Sequence, residues 1–312
     1  MQEASNKIVS VIIVTAGVGN YINLCLDSIQ KQTYPLLEVI VTDNSCNPIF
    51  RQKILNSYPQ IKLYSNPKNL FYCQALNKGI KISKGDFVLC LNDDIILDKK
   101  FIEEALRGFY YNAKVGMVSG KILREGGKTI DSTGLFLSFW RTAKERGYGS
   151  SDKGQFQEEG YIFGVNGAAA FYRKEMLEGI KENEDYFDSD FFIFYEDLDI
   201  AWRAQRSGWQ GYYVPAAIAY HIRGATVRAN SGIDRPYARR FLSDSLEADL
   251  IKNRYLTIIK NESILNFLLH LPGMVLYDFI IWVYILFFRP RVAKIFFSHL
   301  KMLEFTAGKI KL

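Results

Sequence analysis

The chain has 312 residues, of which 48% are hydrophobic and 23% are charged. This balance excludes a disordered chain, a collagen and a coiled coil, and the length fits one large domain or two ordinary ones. The formal net charge is only +6, an excess of basic residues too small to indicate a nucleic acid partner.

The first hundred residues alternate between strand-like and helix-like patterns. Runs of β-branched and apolar residues predict strands at 8–15, 37–42, 61–64 and 86–91, and apolar residues at helical spacing predict helices at 21–31, 49–58, 71–83 and 101–111. Strands and helices joined in turn by short connections are typical of an α/β fold, with a mostly parallel sheet and helices on both faces.

Three polar clusters follow three of these strands. They are Thr15-Ala16-Gly17, Asp43-Asn44-Ser45 and Asn92-Asp93-Asp94. Ligands of such sheets bind beyond the carboxyl ends of the strands, so the clusters predict a binding site at that edge.

The second half of the sequence is less regular. A strand is predicted at 115–121, loops and short strands at 126–160, and a helix at 200–207 that Gly208 ends. Two short strands follow at 212–214 and 217–221, then a mobile loop at 224–235 and a helix at 244–260. We expect residues 1–240 to form the α/β domain and 241–312 to form a helical region.

Residues 264–288 are the most apolar stretch of the chain. Asn266, His270, Pro272 and Asp278 interrupt it, so it is not a clean transmembrane span, and two short helices in the membrane interface fit better. Six Lys and Arg against one Glu follow in residues 289–312 and favour contact with an anionic membrane surface. The alternative is a pair of helices packed on the domain.

Cysteine usage and the N-terminal residues indicate the compartment. The four cysteines form no CxxC pair, which favours reduced thiols, and the first apolar run is too short for a signal peptide. The expected location is cytoplasmic, peripherally associated with the inner face of the plasma membrane.

The Asn92-Asp93-Asp94 cluster carries the first chemical signal. Two adjacent carboxylates repel each other, and a divalent cation relieves that repulsion. Mg²⁺ is usually held by one or two carboxylates together with substrate phosphates. The alternative is a turn whose Asp caps the next helix.

The segment from Tyr195 to Asp199 carries the second signal. Glu196 and Asp199 share a helix face while Asp197 points elsewhere, and the aromatic surroundings favour a carboxylate that acts as a base. The alternative is an acidic helix start that complements the helix dipole. His221 ends a predicted strand, where a lone histidine is more often structural than a ligand.

Several enzyme classes lack their motifs in this sequence. Gly17 and Gly19 would need a third glycine where Ile22 stands, which excludes the dinucleotide-binding fingerprint. Neither a Gly-x-Ser-x-Gly elbow nor a GxxxxGK[ST] loop is present, so serine hydrolase and P-loop chemistry are not supported.

Seven segments taken in order resemble the family 2 glycosyltransferases. They are VSVIIVT, VIVTDNS, NPKNLFYCQALNKGI, FVLCLNDD, VNGAAAFYRKEML, FDSDFFIFYEDLDIAWRAQRSGW and YYVPAAIAYHIRGAT. The subgroup they are most similar to is the bacterial rhamnosyltransferase-like enzymes of cell-surface polysaccharide assembly. The resemblance implies a GT-A fold, a nucleotide-diphosphate sugar donor, Mg²⁺ or Mn²⁺ as cofactor, and inversion at the anomeric carbon.

The resemblance also implies roles for individual residues. Asp94 and His221 are expected to hold the metal, and Asp197, with Glu196 beside it, is expected to be the general base. The donor side is expected to include Asp43, Asn69, Asn77 and Asp93, and the acceptor side Asn166, Gly167, Trp202 and Arg203.

Further donor contacts are expected from residues near these motifs. Thr15 ends the first strand and Asn92 precedes Asp93, so both are expected on the donor side. By composition, Arg223 or Arg228, in and beside the predicted loop, is expected to close over the phosphates.

The expected function is a metal-dependent inverting transfer of L-rhamnose from dTDP-rhamnose to a hydroxyl of a lipid-linked glycan. Two alternatives stay open at this point: the same fold with a UDP- or GDP-sugar donor, and a catalytically inactive membrane-associated scaffold. The sequence does not fix the oligomeric state, and a homodimer is one option.

Overall fold

The computed structural model describes residues 7–223 and 242–307. Within them, ten strands form one sheet in the order β3-β2-β1-β4-β11-β6-β12-β10, with β5 paired to β12 and β7 to β6. Strands β8 and β9 form a separate hairpin. The α/β fold expected from the sequence is confirmed.

The first half of the sheet is parallel, as the alternating pattern predicts. Its strands are β1 Val9–Thr15, β2 Leu37–Asp43, β3 Lys62–Ser65 and β4 Phe87–Asn92, and its helices are α1 Tyr21–Gln30, α2 Pro48–Ser57 and α3 Phe71–Ile82. Val9 lies opposite Leu37 on one side and Phe87 on the other, so β1, β2 and β4 end at the same edge.

The second half of the sheet is mixed. Its elements are β5 Ile95–Leu97, α4 Phe101–Tyr111, β6 Val115–Arg124, β7 Ile130–Ser132, β8 Leu135–Leu137, β9 Ala143–Glu145, β10 Gly160–Ile162, β11 Ala169–Arg173, α5 Lys174–Ile180, a 3₁₀ helix Ser189–Phe191, α6 Glu196–Arg206 and β12 Gln210–His221. Strand β11 runs antiparallel to both β4 and β6. It enters the sheet from a long loop and hairpin region rather than from a helical crossover, and this explains its reversed direction.

Two strands predicted at 212–214 and 217–221 form one strand in the structure. β12 pairs with β6 along its length, with an irregularity between Val214 and Ile218. The prediction of two strands was wrong because Pro215, which lacks a backbone N–H, sits at this irregularity and interrupts the pattern without ending the pairing.

Helices cover both faces of the sheet because alternate residues of its strands point in opposite directions. Val11 and Ile13 of β1 pack with Leu26 of α1, whereas Ile12 packs with Leu76 of α3. All of them are buried. This two-sided core fixes the sheet edge at which the polar clusters lie.

Three helices follow residue 242: α7 Asp244–Asn261, α8 Ile264–Phe288 and α9 Pro290–Ala307. α7 packs on α6, and the Asn261 amide donates to Asp199 at 2.8 Å. Ala248 and Ile251 of α7 form a small core with Ile281 and Ile285 of α8.

The expectation of two short helices within residues 264–288 was wrong, because α8 is one helix of 25 residues with Pro272 inside it. Asp278, which interrupts the apolar pattern, pairs with Arg254 of α7 at 2.6 Å, so its charge faces protein. Among the residues described, α8 is the one helix long and apolar enough to cross a membrane, by length and composition only. Its outer face exposes large apolar side chains, including Phe279, Phe287 and Phe288.

Replacing Gly120 or Gly179 with alanine is expected to change the stability of the fold in opposite directions. A methyl group on Gly120 would overlap the backbone oxygen of Ala217 and lie 2.7 Å from Phe101, so Gly120→Ala is expected to destabilise the fold by about 1–3 kcal/mol. Gly179 lies in α5 with nothing within 4 Å of an added methyl, so Gly179→Ala is expected to stabilise it by up to about 1 kcal/mol. Urea denaturation of both variants measures the difference, and a Gly120→Ala variant as stable as wild type would contradict the packing described at β12.

Candidate active site

A cavity of about 540 Å³ lies beyond the carboxyl ends of β1 and β4. Its walls come from distant parts of the chain, which include Asn92, Asp93 and Asp94 after β4, Asn166 and Gly167 before β11, Tyr195, Glu196 and Asp197 at the start of α6, and His221 at the end of β12. The two acidic motifs singled out from the sequence therefore share one cavity.

His221 is held between two carboxylates. Its Nδ1 lies 2.8 Å from Asp131 Oδ2, and its Nε2 lies 3.3 Å from Asp94 Oδ1. Arg223 also binds Asp131, through Nε at 2.7 Å. Asp131 thus fixes the imidazole so that Nε2 faces Asp94 and the cavity.

The pKa values of this group follow from burial and pairing. Burial acts to lower the pKa of His221, but its hydrogen bonds to Asp131 and Asp94 outweigh burial and raise the pKa above its usual value. Burial acts to raise the pKa of Asp131, and the His221 hydrogen bond and the charge of Arg223 instead lower it to about 2. Asp131 therefore stays ionised, as a residue that orients His221 should.

The side chains that could coordinate a metal here suit a divalent cation that a substrate also binds. Asp94 and His221 offer one carboxylate and one imidazole. In the described parts of the chain, no cluster of three or more His, Cys, Asp or Glu is suited to bind a metal without a substrate. Mg²⁺ and similar ions commonly bind one or two carboxylates and complete their shell with substrate phosphates. A histidine ligand whose other nitrogen is held by a carboxylate is the usual arrangement at metal centres.

Asp93 contributes a second carboxylate beside Asp94. Thr15 Oγ1 donates to Asp93 Oδ2 at 2.6 Å and accepts from the Gly17 N–H at 3.0 Å. Burial, assisted by repulsion from Asp94, raises the pKa of Asp93 to about 6, although the Thr15 hydrogen bond opposes the shift. Gly17 has a φ of 71°, and this left-handed turn brings the loop after β1 to the cavity edge.

Asp197 faces the cavity from the first turn of α6. Its Oδ2 accepts the Gly167 N–H at 3.0 Å, and its Oδ1 accepts the Leu198 N–H at 2.8 Å. A methyl group on Gly167 would lie 3.3 Å from both Asp197 Oδ2 and Glu196 Oε1. The glycine therefore lets the backbone come close to both carboxyl groups and fixes one of them.

Tyr72 supports the same loop. Its hydroxyl donates to the Gly167 carbonyl at 3.0 Å, and its ring lines the cavity. Burial raises the pKa of this phenol well above its usual value, so the group stays protonated and remains a donor.

The turn before α6 is strained. Phe192, Phe194 and Tyr195 all have φ between 57° and 70°, a region that costs bulky residues about 1–3 kcal/mol each. The Ile193 N–H bonds the Phe191 carbonyl at 2.6 Å, which tightens the turn further. All four residues from Phe192 to Tyr195 line the cavity. Strain at such a place indicates a conformation kept for the site rather than for the core.

Among the other expected site residues, Asn69, Asn92, Asn166 and Gly167 line the cavity. Asn69 Oδ1 accepts the Phe71 N–H at 2.8 Å, and Asn166 Oδ1 accepts the Ala168 N–H at 2.8 Å. Asn166 also donates to Glu145 of the β8–β9 hairpin. These asparagines shape the loops they sit on and present them to the cavity.

Asp43 and Asn77 are buried but do not line the cavity. Asp43 accepts from the Ser45 N–H at 2.8 Å and from Ser65 Oγ at 3.1 Å, so one of its oxygens holds the turn after β2 and the other binds the end of β3. Asn77 Oδ1 accepts the N–H groups of Tyr186 and Phe187 at 3.1 and 2.8 Å. The structure thus gives these two residues positions in the framework beside the site.

Trp202 and Arg203, expected on the acceptor side, are also absent from the cavity walls. Arg203 binds Asp199 at 2.9 Å and donates to the carbonyls of Ile180 and Tyr186, both at 2.7 Å. Trp202 packs edge-on against Phe163. Both lie more than a helical turn beyond Asp197, so they anchor α6 instead of facing its acidic end. Arg228 lies outside the described residues.

Asp131 and the residues of α7 at the cavity were not predicted as site residues from the sequence. Asp131 lies in the irregular middle of the chain, and only its contact with His221 identifies it. Helix α7 contributes a whole wall, formed by Ser245, Leu246, Asp249 and Leu250. Its residues recur on one helical face, but the sequence gives no indication of what that face covers.

Comparison with known proteins relates this geometry to a family. The model of glycosyl transferase family 2 matches residues 10–181, more than half of the chain. The poly-beta-1,6-N-acetyl-D-glucosamine synthase of Staphylococcus aureus strain COL is 23% identical over 63% of this chain and 45% of its own length. The same synthase from Staphylococcus epidermidis is 23% identical over 65% of this chain and 47% of its own. The chain spans about half the length of these curated relatives.

Solved structures agree on the fold. The crystal structure of S. aureus TarS 1-349 has a TM-score of 0.55 and 16% identity, covering 88% of this chain and 69% of that one. The crystal structure of GalNAc-T7 with UDP, GalNAc and Mn²⁺ has a TM-score of 0.55 and 15% identity, covering 69% of this chain and 43% of that one. The chain therefore has a GT-A-like fold.

The contact between Asp131 and His221 predicts an effect on metal binding. Asp131→Asn keeps the shape of the side chain but removes the charge that orients the imidazole, so affinity for Mn²⁺ is expected to fall about 10–100-fold. Isothermal titration with Mn²⁺ in the presence of a nucleoside diphosphate measures this. Asp152→Asn is the control, since Asp152 pairs with the buried Lys121 at 3.1 Å and lines no part of the cavity. Equal affinity in wild type and Asp131→Asn would contradict the assignment.

Proposed function

Because the chain belongs to glycosyl transferase family 2, we propose that it transfers a sugar from a nucleoside-diphosphate donor to a hydroxyl group of an acceptor. One observation carries the proposal. Asp94 and Asp197, which are far apart in the sequence, line the same cavity at the carboxyl ends of the strands. One of them is suited to hold a cation on the donor, and the other is suited to take a proton from the acceptor.

Asp94 and His221 are the residues proposed to hold the metal. A divalent ion bound there would neutralise the charge that develops on the departing diphosphate. Asp131 keeps the imidazole turned towards the cavity, and Thr15 keeps Asp93 beside Asp94. At the proposed metal site, the chain therefore positions the oxygen and nitrogen ligand atoms before the substrate binds.

Asp197 is proposed as the general base. The acceptor oxygen attacks the anomeric carbon, the bond from that carbon to the diphosphate oxygen breaks, and the hydroxyl proton passes to Asp197. A single displacement of this kind inverts the anomeric centre. Backbone N–H groups from Gly167 and Leu198 hold both oxygens of Asp197 in place, and Glu196 is the neighbouring carboxyl group that also lines the cavity.

The donor proposed first is dTDP-rhamnose, with L-rhamnose as the sugar transferred. Its support is the resemblance of the seven sequence segments to rhamnosyltransferase-like enzymes. UDP-sugars, and N-acetylglucosamine in particular, are the second candidate, because the curated relatives are named as synthases of a polymer of that sugar. GDP-sugars complete the panel.

The acceptor proposed is a lipid-linked glycan at the inner face of the plasma membrane. Two features of the structure support this. α8 exposes a long apolar face, and Phe139 and Trp140, at the tip of the β8–β9 hairpin, pack against α8 at Gly273. The same hairpin lines the cavity through Leu135 and Glu145. An acceptor held in the membrane would thus have its sugar end near the reacting groups.

Replacing the proposed base is expected to separate chemistry from binding. Asp197→Asn keeps the shape of the side chain but accepts a proton poorly, so kcat is expected to fall about 10²–10⁴-fold. Donor affinity is expected to stay within about twofold, because Asp94 and His221 are untouched. Nucleotide release measured with each donor of the panel gives kcat, and titration calorimetry gives the donor Kd.

The matched control for this variant is Glu196→Gln, which removes the neighbouring charge from the same helix turn. We expect it to retain more activity than Asp197→Asn. An Asp197→Asn variant with wild-type kcat would exclude the base assignment, and wild-type protein that releases no nucleotide with any donor in the presence of acceptor and Mn²⁺ would contradict the proposed function.

Membrane association is expected to depend on the exposed face of α8. Phe287 and Phe288 are 78% and 72% exposed, so replacing both with Ser removes apolar area that the bilayer interface would otherwise cover. Flotation with vesicles containing anionic lipid is expected to recover wild type and to lose most of the double variant. Ile49→Ser, at an 81% exposed position on α2, is the control, and equal flotation of all three proteins would contradict the assignment.

A further inference from the structure

We propose that Asn253, on α7, is a positioning residue for the carboxyl group at Asp197, because it holds the strained turn from which α6 begins. The inference rests on the proposed function, since it takes Asp197 as the base. It concerns a residue outside the family-model match and outside the cavity walls.

Three carbonyl groups of the turn converge on one side-chain amide. Asn253 Nδ2 lies 2.7 Å from the Phe191 oxygen, 2.7 Å from the Ile193 oxygen and 2.8 Å from the Phe194 oxygen. Asn253 is completely buried. Successive carbonyls in a helix or strand do not point at a common centre, and three that do so repel each other unless a donor sits between them.

The backbone of the turn explains why such a donor is needed. Phe192, Phe194 and Tyr195 adopt positive φ without being glycine, a conformation that persists only where surrounding groups hold it. Lys252, the neighbouring residue on α7, also holds the turn. Lys252 Nζ donates to the Asp190 carbonyl at 2.9 Å and lies 4.4 Å from the centre of the Phe192 ring.

The turn is joined directly to the reacting groups. Residues 192–195 line the cavity, and Glu196 and Asp197 follow in the first turn of α6. Without the Asn253 donor, the three carbonyls are expected to separate and the φ angles to relax towards negative values. The first turn of α6 would then rotate, and Asp197 would leave the N–H of Gly167.

The two residues proposed to hold the metal take their positions from other parts of the fold. Asp94 follows β4, His221 ends β12, and their positions depend on Asp131 and on the sheet. Loss of Asn253 is therefore expected to lower kcat while leaving donor affinity in place. A residue that served only to stabilise the fold would lower the unfolding temperature without that selectivity.

The test compares Asn253 with Asn261 on the same helix. Asn261 is also buried, but its amide donates to Asp199 at 2.8 Å and to the Thr257 carbonyl at 3.1 Å, not to the turn. Asn253→Ala is expected to lower kcat about 10²-fold, the size of effect that a small misplacement of a catalytic group produces. Asn261→Ala is expected to lower thermal stability by a similar amount and to keep kcat within about threefold of wild type.

Two further variants test the chemistry of the amide. Asn253→Asp has the same shape but no N–H groups to offer the carbonyls, so it is expected to lose at least as much activity as Asn253→Ala. Asn253→Ser keeps one donor in a smaller side chain and is expected to retain intermediate activity. If Asn253→Ala does not fold, the comparison of Asn253→Ser with Asn261→Ala carries the test.

Hydrogen–deuterium exchange provides a readout that needs no substrate. In Asn253→Ala, or in Asn253→Ser if the former does not fold, faster exchange is expected in a peptide covering residues 190–198, and not in one covering 87–97. Unchanged exchange in the turn, wild-type kcat, or an equal loss of kcat in Asn261→Ala would overturn the proposal. Wild-type protein that transfers no sugar would instead count against the proposed function, and the exchange result would still decide whether Asn253 holds the turn.

Discussion

Mutual repulsion between carboxyl groups is the constraint on which this site depends. Asp93, Asp94, Glu196 and Asp197 line one cavity, and the fold must hold them there without letting them separate. It does so with fixed partners: Thr15 for Asp93, His221 for Asp94, and backbone N–H groups for Asp197. These contacts fix the carboxyl groups before a cation or an incoming hydroxyl arrives.

Much of the fold could be predicted because its signals are local. Apolar runs and turn residues identified β1, β2 and β4, and the rule for sheet edges placed Asp94 near the other polar clusters. The same rule could not place Asp131, since its contact with His221 spans ninety residues of the chain. Asn253 is similar: an amide in the middle of a helix gives no indication that it binds a turn sixty residues away.

Two other differences between the sequence predictions and the structure lie in helices α6 and α8. Trp202 and Arg203 stand close to Asp197 in the sequence, yet helical rotation and rise carry them away from the cavity, where Arg203 binds backbone carbonyls. Pro272 suggested an end to a helix, but α8 continues through it. Asp278 is accommodated in the same helix by its ion pair with Arg254.

Helix α7 connects the cavity to the apolar surface. On one side it presents Leu246 and Leu250 to the cavity, and on another it packs Ile251 against Ile281 and Ile285 of α8. Asp94 and His221 are proposed to bind a cation within the cavity that Asp197 faces. The most direct test is a crystal of the protein grown with Mn²⁺ and a nucleoside diphosphate, measured at a wavelength where manganese scatters anomalously. If Asp94 and His221 hold the cation, one anomalous peak is expected in contact with both residues, with the diphosphate beside it. A diphosphate bound elsewhere, with no peak at these two residues, would exclude them as the metal ligands.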